Sequence, residues 1–393
     1  MGDSDVNSND NANEVSSQEG RSLAVLRAMI DAVDHEVLQL LSRRNGLVAE
    51  VAAWKRVNRV GIRDQNRERE LIDDRRARST PLGLRPEVIE SIYRLVLWAS
   101  RDRQASLKAQ VPVDVEAKTI AIIGGRGAMG SCMAKMFADL GHAVMVADQE
   151  TELGVIEAAR EADVVLISVP IRETERVVRE VGPVVREDAL LADVTSVKSG
   201  PMRAMLECSR SSGVVGTHPL FGPSVHSLQG QRVVMVPGRG ESWEEWLRSM
   251  FEARGLDVLE STAETHDRVM GVVQVLTHFS TEVMGKTMAS LGVSLEETLQ
   301  FTSPVYYIDL LMTARHFAQS PDLYASIQMS NPETERITEA FLSAAEELRA
   351  SAQAKDRDVF RNMFDDVHEY FGEFTEKALD QSSFLIDRLV ERQ

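Results

Sequence analysis

The sequence is poor in cysteine and has no long uninterrupted apolar run. Its only two cysteines, Cys132 and Cys208, indicate neither a disulfide framework nor a zinc-binding spacing. No apolar run reaches the length of a transmembrane helix, and the N-terminus lacks the basic-then-apolar pattern of a signal peptide. We therefore expect a reduced cytoplasmic protein without membrane association, and no metal site is predicted.

An excess of positive charge is also missing. The net charge of −17 and the isoelectric point near 5.0 argue against nucleic-acid binding, which needs a clustered basic surface. Residues 1–20 hold five acids and no base among many Ser and Asn residues, and we predict a disordered tail over residues 1–21. The hydrophobic content of 43% is typical of a globular chain, and the 393 residues suit two or three domains.

A glycine-rich motif stands between two apolar segments near residue 125. Residues 119–123 predict a buried strand that runs directly into a GxGxxG motif, in which two glycines let the backbone approach a pyrophosphate and the third lets helix pack on strand. A helix and a second strand (143–147) follow, and Asp148 comes directly after that strand. Its carboxylate is placed to accept hydrogen bonds from ribose hydroxyls. The same carboxylate would repel a 2′-phosphate, which favours NAD over NADP. A further strand (163–170) ends at the same edge. The predicted nucleotide-binding residues are Gly125, Gly127, Met129, Gly130, Asp148, Ser168 and Pro170.

The first hundred residues predict an all-helical module. Apolar residues recur with alternating three- and four-residue spacing between residues 23 and 54, which predicts one long helix over residues 22–58. A second helix is expected after Asp64, an N-cap residue, to about residue 78, and a third over residues 86–104. Because the first helix is too long to bury its apolar stripe alone, we expect a homodimer.

Each of these helices places polar side chains on its inner face. In the first helix Arg44 replaces an expected apolar residue, and Lys55 lies three helical turns further along the same face. In the third helix Ser100 and Gln104 continue an apolar stripe, and in the second helix residues 67–68 are expected to point inward. A snorkelling arginine and solvated helix ends are the alternative. Because buried charge is costly unless it is partnered, a small polyanion bound inside the module explains all three helices together.

This polar set resembles, in order and spacing, the active site of the all-helical chorismate mutases. The set comprises Arg27, Arg44, Lys55, Arg63, Asp64, Arg67, Glu68, Ser100 and Gln104. The resemblance implies rearrangement of chorismate to prephenate, in which the protein holds a compact dianionic conformer and stabilises charge on its ether oxygen.

The same resemblance implies a role for each residue. Arg44 and the partner subunit's Arg27 would bind carboxylates, and Lys55 and Gln104 would donate to the ether oxygen. The remaining members would serve the ring hydroxyl, Glu68 and Asp64 directly and Arg67 and Ser100 as supports.

After the glycine-rich motif the sequence predicts strands at 189–194, 232–236 and 256–260 and a helix at 241–254, which complete an α/β domain. From residue 265 onward the pattern is almost entirely helical, with breaks at Gly292, Pro304, Pro321 and Pro332. The predicted organisation is a tail (1–21), a helical chorismate mutase-like domain (22–105), a linker (106–117), a Rossmann dinucleotide-binding domain (118–262) and an all-helical dimerisation domain (263–393).

Motifs in the second half resemble those of prephenate dehydrogenase. They lie at residues 168–170, 196–198, 218–223, 264–267, 274, 303–306 and 315–319. The resemblance implies hydride transfer from the carbinol carbon of prephenate to NAD, with loss of the ring carboxylate as carbon dioxide. His218, expected in a loop after a late parallel strand, would accept the hydroxyl proton, and Arg315, expected to be buried, would bind a carboxylate. The substrate-binding assignments also include Ser196, His266 and Gln274, whereas Tyr307 stands where a second arginine is expected.

Fused in this order, the two halves resemble the bifunctional chorismate mutase/prephenate dehydrogenases of tyrosine biosynthesis, over residues 22 to about 380. Two alternatives stay open: a prephenate or arogenate dehydrogenase whose first helices serve only dimerisation, and a nucleotide-sensing protein without catalysis. Retention of every mutase-type polar residue argues against the first, and the joint presence of His218 and Arg315 argues against the second. Feedback inhibition by tyrosine is expected from the family, with no residue assigned to it.

Overall fold

The computed structural model describes residues 21–58, 60–107, 116–225 and 227–390. The predicted tail, apart from Arg21, and most of the predicted linker lie outside these residues. The chain divides into two compact units, Met1–Val113 and Asp114–Gln393. No helix within the described ranges combines the length and the apolar character needed to cross a membrane.

Three helices make up the described part of the first unit. They are α1 (Leu23–Asn58), α2 (Gln65–Ser79) and α3 (Pro86–Ser106), close to the predicted bounds. The predicted N-cap of α2 is confirmed, because Oδ1 of Asp64 accepts from the backbone N–H of Arg67 at 2.9 Å. After α2 the chain turns at Gly83, whose φ of +72° is a left-handed conformation that glycine adopts readily.

The first unit buries little apolar surface. Of the 36 residues of α1, only Val48 and Ala52 are buried, and Ala52 packs with Ile62 and Ala105 in a small core. The predicted apolar stripe of α1 is exposed along its length, from Leu23 at 62% to Trp54 at 60%. A contiguous exposed apolar stripe of this length is typical of an interaction surface.

A seven-stranded sheet forms the centre of the second unit. Its strands are β1 (Thr119–Ile123), β2 (Ala143–Ala147), β3 (Val164–Ile167), β4 (Leu190–Asp193), β5 (Gly213–Pro219), β6 (Arg232–Arg239) and β7 (Asp257–Glu260). The spatial order is β2-β1-β3-β4-β5-β6-β7, and only β6 runs antiparallel to its preceding neighbour β5. The order reverses between β1 and β3, which places a ligand crevice at the carboxyl ends of these strands.

Five helices connect the strands and cover the sheet. They are α4 (Ala128–Asp139), α5 (Val155–Glu161), α6 (Ile171–Val181), α7 (Ser199–Cys208) and α8 (Glu241–Ala253). Every residue of β3 and β4 is buried, because parallel strands of this kind are covered on both faces. Phe137 on α4 and Leu191 on β4 are fully buried, so this sheet provides a core that the first unit lacks.

The remaining chain is helical, as predicted. The helices are α9 (Ala263–Met270), α10 (Thr277–Ser290), α11 (Leu295–Gln300), α12 (Pro304–Phe317), α13 (Pro321–Ser330), α14 (Thr334–Ala354), α15 (Arg357–Phe371) and α16 (Phe374–Val390). The predicted breaks are confirmed: Gly292 follows α10, Pro304 and Pro321 open α12 and α13, and Pro332 separates α13 from α14. A π-helical turn, Gly271–Leu276, joins α9 to α10 and was not predicted.

Candidate active sites

The glycine-rich turn joins β1 to the N-terminus of α4 at the carboxyl edge of the sheet. Gly124, which precedes the predicted motif, has a φ of +82° and donates to the Ala147 carbonyl at 2.8 Å. A β-carbon on Gly125 would lie 2.7 Å from Cγ1 of Val146, and one on Gly130 would lie 2.8 Å from Cα of Gly125. The close packing expected of Gly130 is therefore present, and the packing of this turn also constrains Gly124 and Gly125.

Gly127 has a different environment. It is the exposed N-cap of α4 in an extended conformation that any residue adopts, and a β-carbon there would lie 3.2 Å from the Gly124 carbonyl oxygen. Gly127 lies at the N-terminus of α4, where the backbone N–H groups favour an anion. The need to bring a dinucleotide diphosphate close to the backbone explains a glycine at this position better than packing within the protein does.

Asp148 directly follows β2 beside this turn. Its Oδ2 accepts from the backbone N–H of Arg126 at 3.1 Å and its Oδ1 from that of Gln149 at 2.8 Å, so the carboxylate is fixed. Each oxygen keeps a lone pair for a ribose hydroxyl. The Arg126 guanidinium pairs with Glu150 at 3.1 Å rather than with Asp148.

The other predicted nucleotide-binding residues border the same crevice. Ser168 follows β3, and its N–H donates to the Ile123 carbonyl at 2.8 Å. Pro170 is the N-cap of α6, and Met129 lies half-buried in the first turn of α4. The set therefore occupies the ends of β1 and β3 and the starts of two helices, which is where α/β sheets bind dinucleotides.

His218 lies within β5 rather than in the expected loop. It is only 2% exposed, because β5 is flanked by β4 and β6 and its whole length is buried. His218 Nδ1 lies 2.8 Å from Nε2 of His266, which is on α9. His218 Nε2 lies 3.3 Å from Nε2 of Gln274 in the π-helical turn. Three predicted residues from separate elements are thus brought together around one imidazole.

Two ion-pairing residues near His218 were not assigned from the sequence. Asp267 Oδ1 lies 2.8 Å from Nδ1 of His266, and both residues are buried. The fully buried Lys198 pairs with Asp193 and donates from Nζ to the Thr217 carbonyl at 2.6 Å, next to His218. The motifs containing Lys198 and Asp267 were noted, but a motif does not reveal which of its side chains turn inward.

The electrostatics keep His218 neutral. Burial and, to a smaller extent, the Lys198 ammonium hold the pKa of His218 well below its ordinary value of 6.5, against the opposing charge of Asp267. Burial opposes ionisation of Asp267, but hydrogen bonds from His266 and from the backbone of Ser199 and Lys198 outweigh it and lower its pKa to about 2. A neutral imidazole beside a fixed carboxylate suits a proton acceptor.

Two predicted substrate residues stand apart from this cluster. Arg315 on α12 is exposed rather than buried, because its position on the helix faces away from the packed side that carries Thr313 and His316. Within the described chain neither Arg315 nor Ser196 makes a side-chain hydrogen bond to His218, His266 or Gln274. The expectation of a buried Arg315 is therefore wrong for the single chain.

The polar residues predicted on the inner faces of α1 and α3 meet in the first unit. Arg44 donates to Oγ of Ser100, and Lys55 donates from Nζ to the Ile62 carbonyl at 2.6 Å. Gln104 is buried, and its Nε2 donates to the Ser100 carbonyl at 3.3 Å. Among the described residues its Oε1 has no hydrogen-bond partner, so the buried amide has an unmet acceptor.

Burial lowers the pKa of both cations. The effect on Arg44 comes mainly from desolvation, as does that on Lys55, where the carboxylates of Asp64 and Glu68 act in the opposite direction. Desolvated cations gain more from an incoming anion than exposed cations do. The two side chains therefore form a site prepared for negative charge.

The second helix brings one of its two predicted residues inward. Glu68 is half-buried and pairs with Arg101 of α3 at 2.7 Å. Arg67 is exposed and pairs with Glu70 at 3.3 Å, so the inward orientation predicted for it is wrong. One residue is 100° around the helix, and the buried face of α2 passes through Glu68 and Ile72. Arg27 is exposed on α1, where it reaches none of the other predicted mutase residues by a hydrogen bond within the described chain.

Three family models match the chain. They are chorismate mutase type II over residues 26–105, the nucleotide-binding domain of prephenate dehydrogenase over residues 127–259, and the dimerization domain of prephenate dehydrogenase over residues 262–366. The matches cover most of the three helices of the first unit, the sheet from β2 onward and the helices that follow it as far as residue 366.

The chain is also similar to whole proteins. It is 34% identical over 366 residues to the T-protein of Enterobacter agglomerans, covering 93% of this chain and 97% of that one. It is 31% identical to the T-protein of Haemophilus influenzae, with the same coverage. A crystal structure of prephenate dehydrogenase from A. aeolicus with hydroxyphenyl propionate and NAD+ aligns with a TM-score of 0.54 and 20% identity, over 68% of this chain and 99% of that one, which shows a shared fold.

Proposed function

The chain belongs to the T-protein family, and from this premise we propose that side chains of the first unit rearrange chorismate while side chains of the second unit oxidise the product. The chain is a bifunctional chorismate mutase and NAD-dependent prephenate dehydrogenase of tyrosine biosynthesis. It converts chorismate to prephenate, and prephenate to 4-hydroxyphenylpyruvate and carbon dioxide.

The mutase step needs no proton transfer, so its residues act by position and charge. Arg44, supported by Ser100, binds a carboxylate of the compact chorismate conformer. Lys55 and Gln104 donate to the ether oxygen, where negative charge grows as the bond breaks. Lys55 now donates to the Ile62 carbonyl and would exchange that acceptor for the substrate oxygen. Glu68, which pairs with Arg101, and Asp64 meet the ring hydroxyl.

The dehydrogenase step uses NAD, which accepts a hydride from the carbinol carbon when bound. Gly127 and the N-terminus of α4 would hold its diphosphate, and Asp148 would accept from the ribose hydroxyls. Gly125 and Gly130 keep the turn compact, and Met129, Ser168 and Pro170 line the crevice. The carboxylate of Asp148 disfavours a 2′-phosphate, which accounts for NAD rather than NADP.

His218 is the proposed general base of this step. Its Nε2 accepts the proton of the prephenate hydroxyl as the hydride leaves the same carbon and the ring carboxylate departs as carbon dioxide. Gln274 lies beside Nε2, and Ser196 and Arg315 are the proposed contacts to the rest of the substrate. The observation that carries this role is a buried, neutral imidazole whose Nδ1 is already hydrogen-bonded.

A staged assay tests the division of labour. Chorismate is supplied alone, prephenate is measured, and NAD is then added while NADH is followed by absorbance. We expect prephenate to accumulate before NAD and to be consumed after it. A dehydrogenase with purely structural first helices would leave chorismate unchanged but oxidise added prephenate, and a nucleotide-sensing protein would do neither.

The protein is a homodimer, consistent with the match of residues 262–366 to a dimerization domain. The exposed stripe of α1 is a second surface for the same partner, and Arg27 of the partner subunit would then complete the mutase site. A monomer at micromolar concentration by light scattering would contradict this assignment of Arg27. Cytoplasmic location and inhibition by tyrosine belong to the same proposal, and initial rates with added tyrosine test the latter.

A further inference from the structure

The buried carboxylate of Asp267 is held on every side. Its Oδ1 accepts from the backbone N–H of Lys198 at 2.7 Å and its Oδ2 from that of Ser199 at 2.9 Å, at the N-terminus of α7. The backbone carbonyl of Asp267 accepts from Nδ2 of Asn331 at 3.0 Å. A carboxylate with three N–H donors, counting His266, stays ionised and accepts only.

Asp267, His266, His218 and Gln274 form a chain of hydrogen bonds, and the groups at its two ends fix the direction of each bond. Because Asp267 only accepts, Nδ1 of His266 must carry a hydrogen. At the other end, the amide nitrogen of Gln274 lies 3.3 Å from Nε2 of His218 and can only donate, so this Nε2 is an acceptor with a lone pair. A neutral His218 then carries its hydrogen on Nδ1, which donates to Nε2 of His266 at 2.8 Å.

We propose that Asp267, acting through His266, is a positioning residue that holds His218 in the tautomer with hydrogen on Nδ1. This inference rests on the proposed role of His218 as the base. In this scheme Asp267 and His266 touch neither substrate nor cofactor. In the other tautomer Nε2 would carry a hydrogen and could not accept the hydroxyl proton.

The arrangement also supports the charged state that forms during turnover. When Nε2 takes the hydroxyl proton, His218 becomes an imidazolium that donates from Nδ1 to His266, and the charge of Asp267 stabilises it through that ring. The proton stays on His218, as no transfer to Asp267 is needed. Lys198, anchored to the Thr217 carbonyl, fixes the backbone next to His218.

The tautomer is measured directly on the unmodified protein. In ¹⁵N spectra of histidine-labelled full-length protein, assigned by loss of signal in His218→Asn, we expect Nδ1 of His218 to be protonated and Nε2 unprotonated. A protonated Nε2 at neutral pH would overturn the proposal without reference to any variant.

Two substitutions at His266 separate polarity from packing. The amide of His266→Gln can donate to Asp267 and accept from Nδ1 of His218, so it preserves the direction of the chain, whereas His266→Leu cannot. We expect kcat for prephenate oxidation to fall about 10–100-fold in His266→Leu, with KM little changed and substantial recovery in His266→Gln. Equal losses in both variants would reduce His266 to a packing role and overturn the proposal.

The charge of Asp267 has a matched control. Asp163 also accepts a backbone N–H, from Thr119 at 2.8 Å, but has no histidine partner. We expect Asp267→Asn to lower kcat about 10–100-fold and Asp163→Asn to leave kcat unchanged. If His218→Asn abolishes oxidation while the Asp267 and His266 variants do not, only the positioning role fails. If His218→Asn keeps full activity, the proposed base itself is wrong.

Discussion

The two units solve the problem of holding a charged site in different ways. The second unit buries β3 and β4 completely and fixes His218 within a strand, so the imidazole proposed as the base is positioned by one chain. The first unit buries two residues of a 36-residue helix and leaves the α1 stripe exposed. Its cationic side chains donate hydrogen bonds to acceptors of the same unit; Lys55, for example, donates to the Ile62 carbonyl.

The difference teaches how far a single chain can complete each site. A sheet with helices on both faces supplies its own core, and buried polar groups can then be fixed by many hydrogen bonds. Three helices with one long exposed apolar stripe are expected to need a second copy of the chain to bury that stripe. In the single chain Arg27 is exposed and does not contribute to the mutase site. We therefore expect one subunit to supply more of the dehydrogenase site than of the mutase site.

The largest expected effect is loss of the proposed base. His218→Asn preserves size and one hydrogen bond but cannot take the hydroxyl proton, so kcat for prephenate oxidation should fall about 10²–10⁴-fold. Mutase turnover should stay unchanged, because His218 belongs to the second unit. Steady-state rates of both reactions on the same folded sample check this, and a parallel loss of mutase activity would contradict separate sites.

The reciprocal change is Lys55→Ala. Lys55 donates to an oxygen whose charge grows only in the transition state, so mutase turnover should fall about 10²–10³-fold. Oxidation of added prephenate should remain near the wild-type rate. Arg43→Ala removes an exposed neighbour of Arg44 and is the control, expected to leave both rates unchanged. If Lys55→Ala impaired both reactions equally, a shared or coupled site would replace the two-site scheme.

A matched pair of isoleucines compares the stabilities of the two units. Ile122→Val removes one methylene from a fully buried side chain of β1 and should lower the free energy of unfolding by about 0.5–1.5 kcal/mol at any protein concentration. Ile30→Val acts on a side chain that is 60% exposed in the single chain, so its effect should depend on the dimer and shrink on dilution. Thermal unfolding at two concentrations checks both, and a concentration-independent loss for Ile30→Val would show that α1 is buried within its own subunit.

The sequence predicted the elements better than the orientations of side chains. Strands β1 and β2 match the predicted bounds, Asp64 caps α2, and Pro304 and Pro321 interrupt the helical pattern as expected, because caps and prolines act locally. Arg67 and Arg315 were placed on the wrong side of their helices. A helix rotates by 100° per residue, so an assignment that is off by one position moves a side chain from the core to solvent.

The network around His218 shows a second limit. His266 and Gln274 were expected near the substrate, but their contacts to His218 depend on how α9 and the π-helical turn pack against β5, which no local pattern encodes. The π-helical turn itself has no sequence signature of the kind that a cap or a proline gives. Long-range packing, not composition, decided which buried acids pair with which bases.

The smallest expected effect is the change of the reaction rates with pH. Acid pH concerns the proposed base of the second unit, and alkaline pH concerns the lysine of the first unit. An ordinary histidine with a pKa of 6.5 is only about one-quarter neutral at pH 6, so a base of that kind would lose most of its activity there. Burial keeps the pKa of His218 well below 6.5, so a larger fraction of it is neutral at pH 6 than of an ordinary histidine. We expect kcat for prephenate oxidation to change by less than about twofold between pH 7.5 and pH 6.

The lowered pKa of His218 also makes the stability of the second unit depend on pH. Below pH 6.5 the unfolded chain protonates this histidine while the folded chain does not, so the unfolded state binds more protons and stability of the second unit falls as pH falls. The rate of the mutase reaction should show the opposite dependence on pH. The positive charge of Lys55 stabilises the negative charge that grows on the ether oxygen, and burial lowers the pKa of Lys55 from 10.5, so mutase turnover should fall as pH rises through that lowered value. Rate profiles of both reactions on one sample, with unfolding monitored in parallel, check the contrast. An acid limb of prephenate oxidation centred at pH 6.5 would show that His218 is not held neutral by its buried surroundings.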